Sequence, residues 1–100
     1  MSYSRISGTG SYLPKHVVTN HDLEALVETT DTWIRERSGI TERRVAAEGE
    51  NCTELAAAAG SQALQAAGLE AADVDLIVLA TSTPDRVFPS TACLVQHQLG

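Results

Sequence analysis

The chain has 100 residues, 43% of them hydrophobic and 20% charged, an ordinary globular composition that argues against disorder or a fibrous repeat. Thirteen acidic side chains against seven basic ones give a net charge of −6, which repels a polyanion at long range and argues against nucleic acid as a bulk partner. The first fifteen residues hold Arg5, Lys15 and no continuous apolar run, so neither a signal peptide nor a membrane-spanning helix is expected, and the cytoplasm is the expected compartment.

Residues 5 to 13 read as a strand. Side chains alternate along a strand, so Gly8 and Gly10 share one face, and another element is expected to pack closely there. Pro14 ends the strand. Asn20 is the expected N-cap of a short helix from His21 to Val27, with Asp22 and Glu24 in its first turn, where the helix dipole favours negative charge. A second short helix follows: Thr30 caps it, Asp31 opens it, Arg35 and Arg37 occupy its last turn and Gly39 stops it. Residues 41 to 46 are expected to be extended.

Thr53 is the expected cap of an alanine-rich helix that runs to about Ala67 and is closed by Gly68. Its apolar positions are nearly all small and spread over more than one stripe, a pattern suited to a helix packed on several sides in a buried layer. Leu76 to Thr83 is a continuous apolar run of strand length, expected to be buried on both faces in the middle of a sheet. Pro84 to Pro89 form a loop, and Ser90 caps a last helix that reaches Gly100. The alternation of elements indicates an α/β fold with a largely parallel sheet, residues 1–100 forming one domain or part of one.

Neither cysteine carries a signal of its own. Cys52 and Cys93 lack a CxxC pattern or a histidine at metal-ligand spacing, so no metal site and no disulfide are expected. Cys93 falls in the first turn of the last helix, a place where a reactive thiol could sit. Apolar Ala92, Leu94 and Val95 surround it, however, and the favoured reading is a small buried residue. His16, His21 and His97 have no nucleophile placed beside them and read as surface or supporting residues. No catalytic residue is assigned.

The informative segment runs from Thr29 to Arg44 and holds four of the seven basic residues. Trp33 and Arg37 are four apart, so on a helix they stand on one face a turn from each other. Such a pair suits a nucleotide, its base stacked on the indole and its phosphate oxygens held by the guanidinium, with Thr29 adding a hydroxyl. By spacing alone the pattern fits a core aromatic covered by an arginine stem better than it fits a ligand grip.

The segments Gly8-Thr9-Gly10-Ser11-Tyr12-Leu13-Pro14, Asp31-Thr32-Trp33-Ile34 and Arg37-Ser38-Gly39-Ile40, with Arg43 following, resemble the opening of the β-ketoacyl-acyl-carrier-protein synthase III family. The likeness continues through Leu76 to Thr83 and the turn Phe88-Pro89-Ser90. It implies a thiolase-like fold, a duplicated α/β unit in αβαβα layers, with this chain part of the first unit. It further implies an acyltransferase that condenses an acyl-coenzyme A starter with malonyl-acyl-carrier protein to initiate fatty acid synthesis, as a homodimer. Coenzyme A thioester would be a substrate, and no permanently bound cofactor is implied.

Carried over residue by residue, the resemblance puts Trp33 against the adenine of coenzyme A, Arg37 at its phosphate-bearing end and Thr29 near the base. It has Phe88 reach across the dimer to line the partner's acyl tunnel, where its bulk influences which starter fits; by pattern alone a core plug is equally good. The acyl-accepting cysteine is expected beyond Gly100, and its histidine and asparagine partners in the second half of the family's sequence. Two rivals remain. One is a noncatalytic coenzyme A binding or dimerisation module, against which the apolar strand and the alanine-rich helix argue. The other is a related enzyme of a secondary-metabolite pathway.

Overall fold

The computed structural model describes residues 2–100. In chain order its elements are β1 (His16–Thr19), α1 (Asn20–Glu24), α2 (Asp31–Ser38), β2 (Glu42–Val45), α3 (Cys52–Ala67), a 3-10 turn (Ala71–Asp73) and α4 (Thr91–Leu99). They fall into two compact units. One comprises residues up to Tyr12 together with Glu50–Gly100, the other Leu13–Gly49.

In the Leu13–Gly49 unit, β1 and β2 pair antiparallel, Val17 opposite Arg44 and Val18 opposite Arg43. Two arginines in a strand of four need acceptors, and the neighbouring backbone supplies them: Arg44 donates to the Pro14 carbonyl at 2.8 Å and Arg43 to the Val18 carbonyl at 3.1 Å. The first helix differs from expectation. Its N-cap is Thr19, whose hydroxyl accepts from Asp22 N while the Asp22 carboxylate accepts from Thr19 N at 2.8 Å, a reciprocal pair that satisfies two otherwise orphaned donors. Asn20 is thus released from capping. It is 1% exposed, and its amide donates to Asp31 Oδ1 and to the Ile40 carbonyl, both at 2.8 Å, while its oxygen accepts from Arg43 at 2.7 Å. A buried amide with its groups matched in this way ties α2 to the hairpin.

The other unit is organised on α3. Its N-cap is Asn51 rather than Thr53, and Gly68 closes it in the left-handed conformation, φ 68°. The shared face of Gly8 and Gly10 meets this helix. A Cβ at Gly8 would lie 2.5 Å from the Ala63 carbonyl oxygen and 2.7 Å from Ala67 N, and one at Gly10 would lie 2.6 Å from Ala63 N. Ala59, Ala63 and Ala67 recur at four-residue spacing, so the small-residue stripe on α3 faces the glycines. Helix α4 packs on another side, with Leu99 3.6 Å from the position a Cβ on Gly60 would take. The core here is small: Ala57 and Val95 are buried together with Thr53 and Thr91. Most of α3 is half-buried, a correction to the interior layer expected of it.

Two expected strands form no ladder. Residues 5 to 13 and Leu76 to Thr83 carry no strand pairing, and among the described residues the sheet is β1 and β2 alone. Exposure along the second run nevertheless alternates: Ile77 and Leu79 are half-buried, whereas Leu76 and Val78 are 78% and 85% exposed. That period of two is the signature of an extended segment with one face covered. The covered face is apolar, lining one recess with Ala56, Ala59, Ala63 and Val95. Burial on both faces, the expectation for this run, is not found: α3 and Val95 cover one face, and Leu76 and Val78 on the other are exposed.

Acid should loosen the α1 cap and the tie between Asn20 and Asp31. The Asp22 carboxyl is held below its ordinary value of 3.8 by hydrogen bonds from the Thr19 backbone and side chain, and Asp31 chiefly by the Asn20 amide, with Arg35 adding to it. A carboxylate with a depressed folded-state pKa contributes stability above its unfolded value and loses it as pH falls through the lower one. Denaturation midpoints should therefore hold from neutrality to about pH 4 and fall below it. Asp22→Asn and Asp31→Asn should flatten that acid limb, and an unaltered limb in both would count against the two hydrogen-bonded carboxylates as its source.

Candidate functional site

Helix α2 is built as its sequence requires. Thr30 Oγ accepts from Trp33 N at 3.1 Å, and Gly39 at φ 73° lets its N–H reach the Arg35 carbonyl at 2.8 Å. The Glu24 carboxylate accepts from Asp31 N at 2.7 Å, a negative group at the helix N-terminus. No residue of α2 is fully buried, so the helix lies on the surface of its unit and is held by its ends and by Asp31.

The four arginines of this segment separate by what they touch. Arg35 pairs with Asp31 at 2.9 Å, while Arg43 and Arg44 are committed to Asn20 and to backbone carbonyls. Arg37 differs: its guanidinium carbon stands 5.8 Å from the centre of the Trp33 ring, and among the described residues it donates to no carboxylate or carbonyl. A guanidinium over an indole face is attracted by the ring quadrupole and keeps its in-plane donors free.

Trp33 is 57% exposed and is not a core aromatic. It lines an open recess of about 300 Å³ with Glu28, Thr29 and Thr30. The structure thus brings together Thr29 and Trp33 in the recess and places Arg37 over the indole. Glu28 was not foreseen; as an exposed acid beside a threonine pair it carries no pattern that would single it out. Phe88 belongs to the other unit, on the loop between Leu79 and α4, and is 86% exposed, so it does not plug the core of its own unit.

No catalytic constellation is present among the described residues. Cys93 is exposed, contrary to the burial expected of it, and accepts from Ser90 Oγ at 3.2 Å. The expectation failed because Ala92 and Leu94 point to other sides of the helix than Cys93, and neighbours in sequence do not cover a helical residue. Cys52 is half-buried and also free, and among the described residues no cluster of His, Cys, Asp and Glu is placed to hold a metal ion. No helix of the described residues is long and apolar enough to cross a membrane.

Comparison with solved structures defines the class. The 3-oxoacyl-(acyl-carrier-protein) synthase III of Aquifex aeolicus superposes with a TM-score of 0.90 at 57% identity, covering 94% of this chain and 30% of that one. A priming beta-ketosynthase of a polyketide biosynthetic pathway gives a TM-score of 0.92 at 35% identity, covering 96% of this chain and 29% of that one. The fold is that of the thiolase-like condensing enzymes, and the mixture of helix and strand here is part of it.

No protein-family model matches the sequence. Curated relatives named beta-ketoacyl-(acyl-carrier-protein) synthase III, from Alkalilimnicola ehrlichii and Thiobacillus denitrificans, are each 60% identical over all 100 residues. The chain spans 31% of the length of each. It corresponds from end to end to the N-terminal portion of the ketoacyl synthase III proteins.

Proposed function

We propose that this chain is the donor-gripping portion of a β-ketoacyl-acyl-carrier-protein synthase III, a cytoplasmic homodimeric acyltransferase that takes acyl-coenzyme A and malonyl-acyl-carrier protein as substrates. The observation that carries the reading is the exposed Trp33 beside Thr29 in an open recess, with Arg37 the arginine of its segment left without an anionic or carbonyl partner among the described residues. An adenine would stack on the indole, Arg37 would meet phosphate oxygens, and Thr29 would hydrogen-bond near the base. Phe88, exposed on its loop, would contribute to the partner's starter tunnel.

These residues would supply binding energy far from the reacting carbon. Such energy raises turnover when it is spent on holding the thioester in a productive position. The chemistry itself, acyl transfer to a cysteine thiolate followed by decarboxylative attack on the enzyme thioester, would rest on groups other than those described. A second reading is favoured by the superposition on the priming ketosynthase: the same architecture starting a secondary-metabolite chain. The two separate on which acyl-coenzyme A the full-length enzyme prefers.

The test is coenzyme A binding to the full-length protein by calorimetry. Trp33→Ala should weaken it by ~1–3 kcal/mol, roughly 5- to 150-fold, on the scale of base–aromatic stacking. Arg37→Ala should weaken it more at low salt than at high salt, because the contact is ionic and exposed. Unchanged affinity in Trp33→Ala would remove the assignment.

A further inference from the structure

The loop that carries Phe88 is fastened at one point by a carboxylate. Asp85 Oδ1 accepts from Cys52 N at 2.8 Å, Oδ2 accepts from Thr53 N at 2.9 Å, and the Thr53 hydroxyl makes a further short hydrogen bond to Oδ2. These two amides are the first of α3, and the α3 donor just before them, Asn51 N, is taken by the Glu54 carboxylate at 3.0 Å. Asp85 therefore closes the N-terminus of a sixteen-residue helix from more than thirty residues away, a placement the helix dipole also favours.

Among the described residues, no other residue from Pro84 to Pro89 hydrogen-bonds outside the loop, and all six are exposed. The far end of the loop is fixed by Ser90, whose hydroxyl accepts from Cys93 N at 3.4 Å and whose carbonyl accepts from Cys93 N at 3.0 Å to start α4. Helices α3 and α4 pack on each other. Phe88 thus sits on a span of four residues, Arg86 to Pro89, strung between two pins that belong to one helix pair.

The geometry points to Asp85 as a positioning residue: by pinning the loop to α3 it fixes where Phe88 stands, and so sets which starter chains the enzyme accepts. The selectivity half of this rests on the starter-tunnel reading of Phe88 given above; the pin itself does not. Loss of the carboxylate frees the loop at its N-terminal side while α4 still holds the other. A Phe88 ring that wanders no longer excludes chains of the wrong length, and discrimination between starters falls while coenzyme A binding stays.

The test uses the full-length enzyme with Asp85→Ala and, to take the hydroxyl from the other side at nearly constant volume, Thr53→Val. Two readouts are followed: the ratio of kcat/KM for a short and a longer acyl-coenzyme A, and the rate of tryptic cleavage after the exposed Arg86. Expected are a several-fold fall in the ratio, in the same direction for both variants and as large as that of Phe88→Ala, and cleavage at least several-fold faster in Asp85→Ala. Cleavage that does not accelerate in Asp85→Ala overturns the pin. A starter ratio unchanged in Asp85→Ala but shifted in Phe88→Ala overturns the positioning role while leaving Phe88 its place. A ratio unchanged in both, with faster cleavage, overturns the starter-tunnel reading and the selectivity role with it, and establishes the pin alone.

Discussion

Gly10→Ala should cost the protein about 3 kcal/mol of stability, the upper end of what overpacking a close contact does. A methyl at this position would stand 2.6 Å from Ala63 N and 2.8 Å from Gln62 Cβ, with the Ala59 carbonyl oxygen closer still. Two of these three are backbone atoms of α3, and they cannot retreat without opening the helix's own hydrogen bonds. Gly8→Ala meets the same obstacle one pleat along, at the Ala63 carbonyl and Ala67 N. Gly39→Ala is the control. Nothing lies within 4 Å of a Cβ there, but φ is +73°, so only the left-handed strain of about 1 kcal/mol is incurred. Equilibrium denaturation of the three variants separates crowding from backbone strain. A Gly10→Ala protein no less stable than Gly39→Ala would mean that α3 yields, and that the glycines are not where the chain is pressed against the helix.

The shared face of Gly8 and Gly10 was legible because alternation along an extended segment is a local rule. What packs on it was not, since the partner helix begins some forty residues later and only its alanine richness hinted at close approach. Caps followed the same division. Thr30, Gly39, Gly68 and Ser90 stand as read, each needing nothing but its own neighbours. At α1 and α3 the cap falls one and two residues before the expected one, and distant groups hold the residues that were expected to cap: Asn20 is drawn inward by Asp31, Ile40 and Arg43, and Thr53 is taken by Asp85. Leu76 to Thr83 departs from expectation for a different reason. An apolar run shows that a segment can be covered on both faces, not that neighbours in the same chain segment do the covering.

The candidate site divides likewise. That Trp33 and Arg37 share a helical face follows from their spacing, and the 5.8 Å approach shows it. Spacing favoured a core aromatic, yet α2 buries none of its residues fully, because Asp31 and the capped ends hold it instead of an apolar stripe. Arg35 meets Asp31 one turn away, but that Arg43 and Arg44 are occupied depends on β1, Pro14 and Asn20, none of them within a helical turn of the arginine concerned. Asp85 had no local signature at all, since a loop aspartate after a proline is an ordinary turn residue.

The second large effect belongs to Asn20. Asn20→Ala should destabilise the protein by about 3 kcal/mol, several times what its expected role as a helix cap would have allowed. Three partners lose a hydrogen bond at once: Asp31 Oδ1, the Ile40 carbonyl and one nitrogen of Arg43. Asp31 keeps Arg35 and Arg43 keeps the Val18 carbonyl, so the ionised groups are not stripped bare, but three part-buried hydrogen bonds at about 1 kcal/mol each are lost together. Thr19→Ala removes the cap that α1 does use and should cost only ~1 kcal/mol. If the two variants unfold at the same denaturant concentration, Asn20 is no more than a helix-start residue. If Asn20→Ala is much the weaker protein and also binds coenzyme A less tightly, with Trp33 and Arg37 untouched, then the buried amide is what holds α2 in the attitude that presents them. That coupling is expected because Asp31, the residue Asn20 grips, opens the helix that carries both.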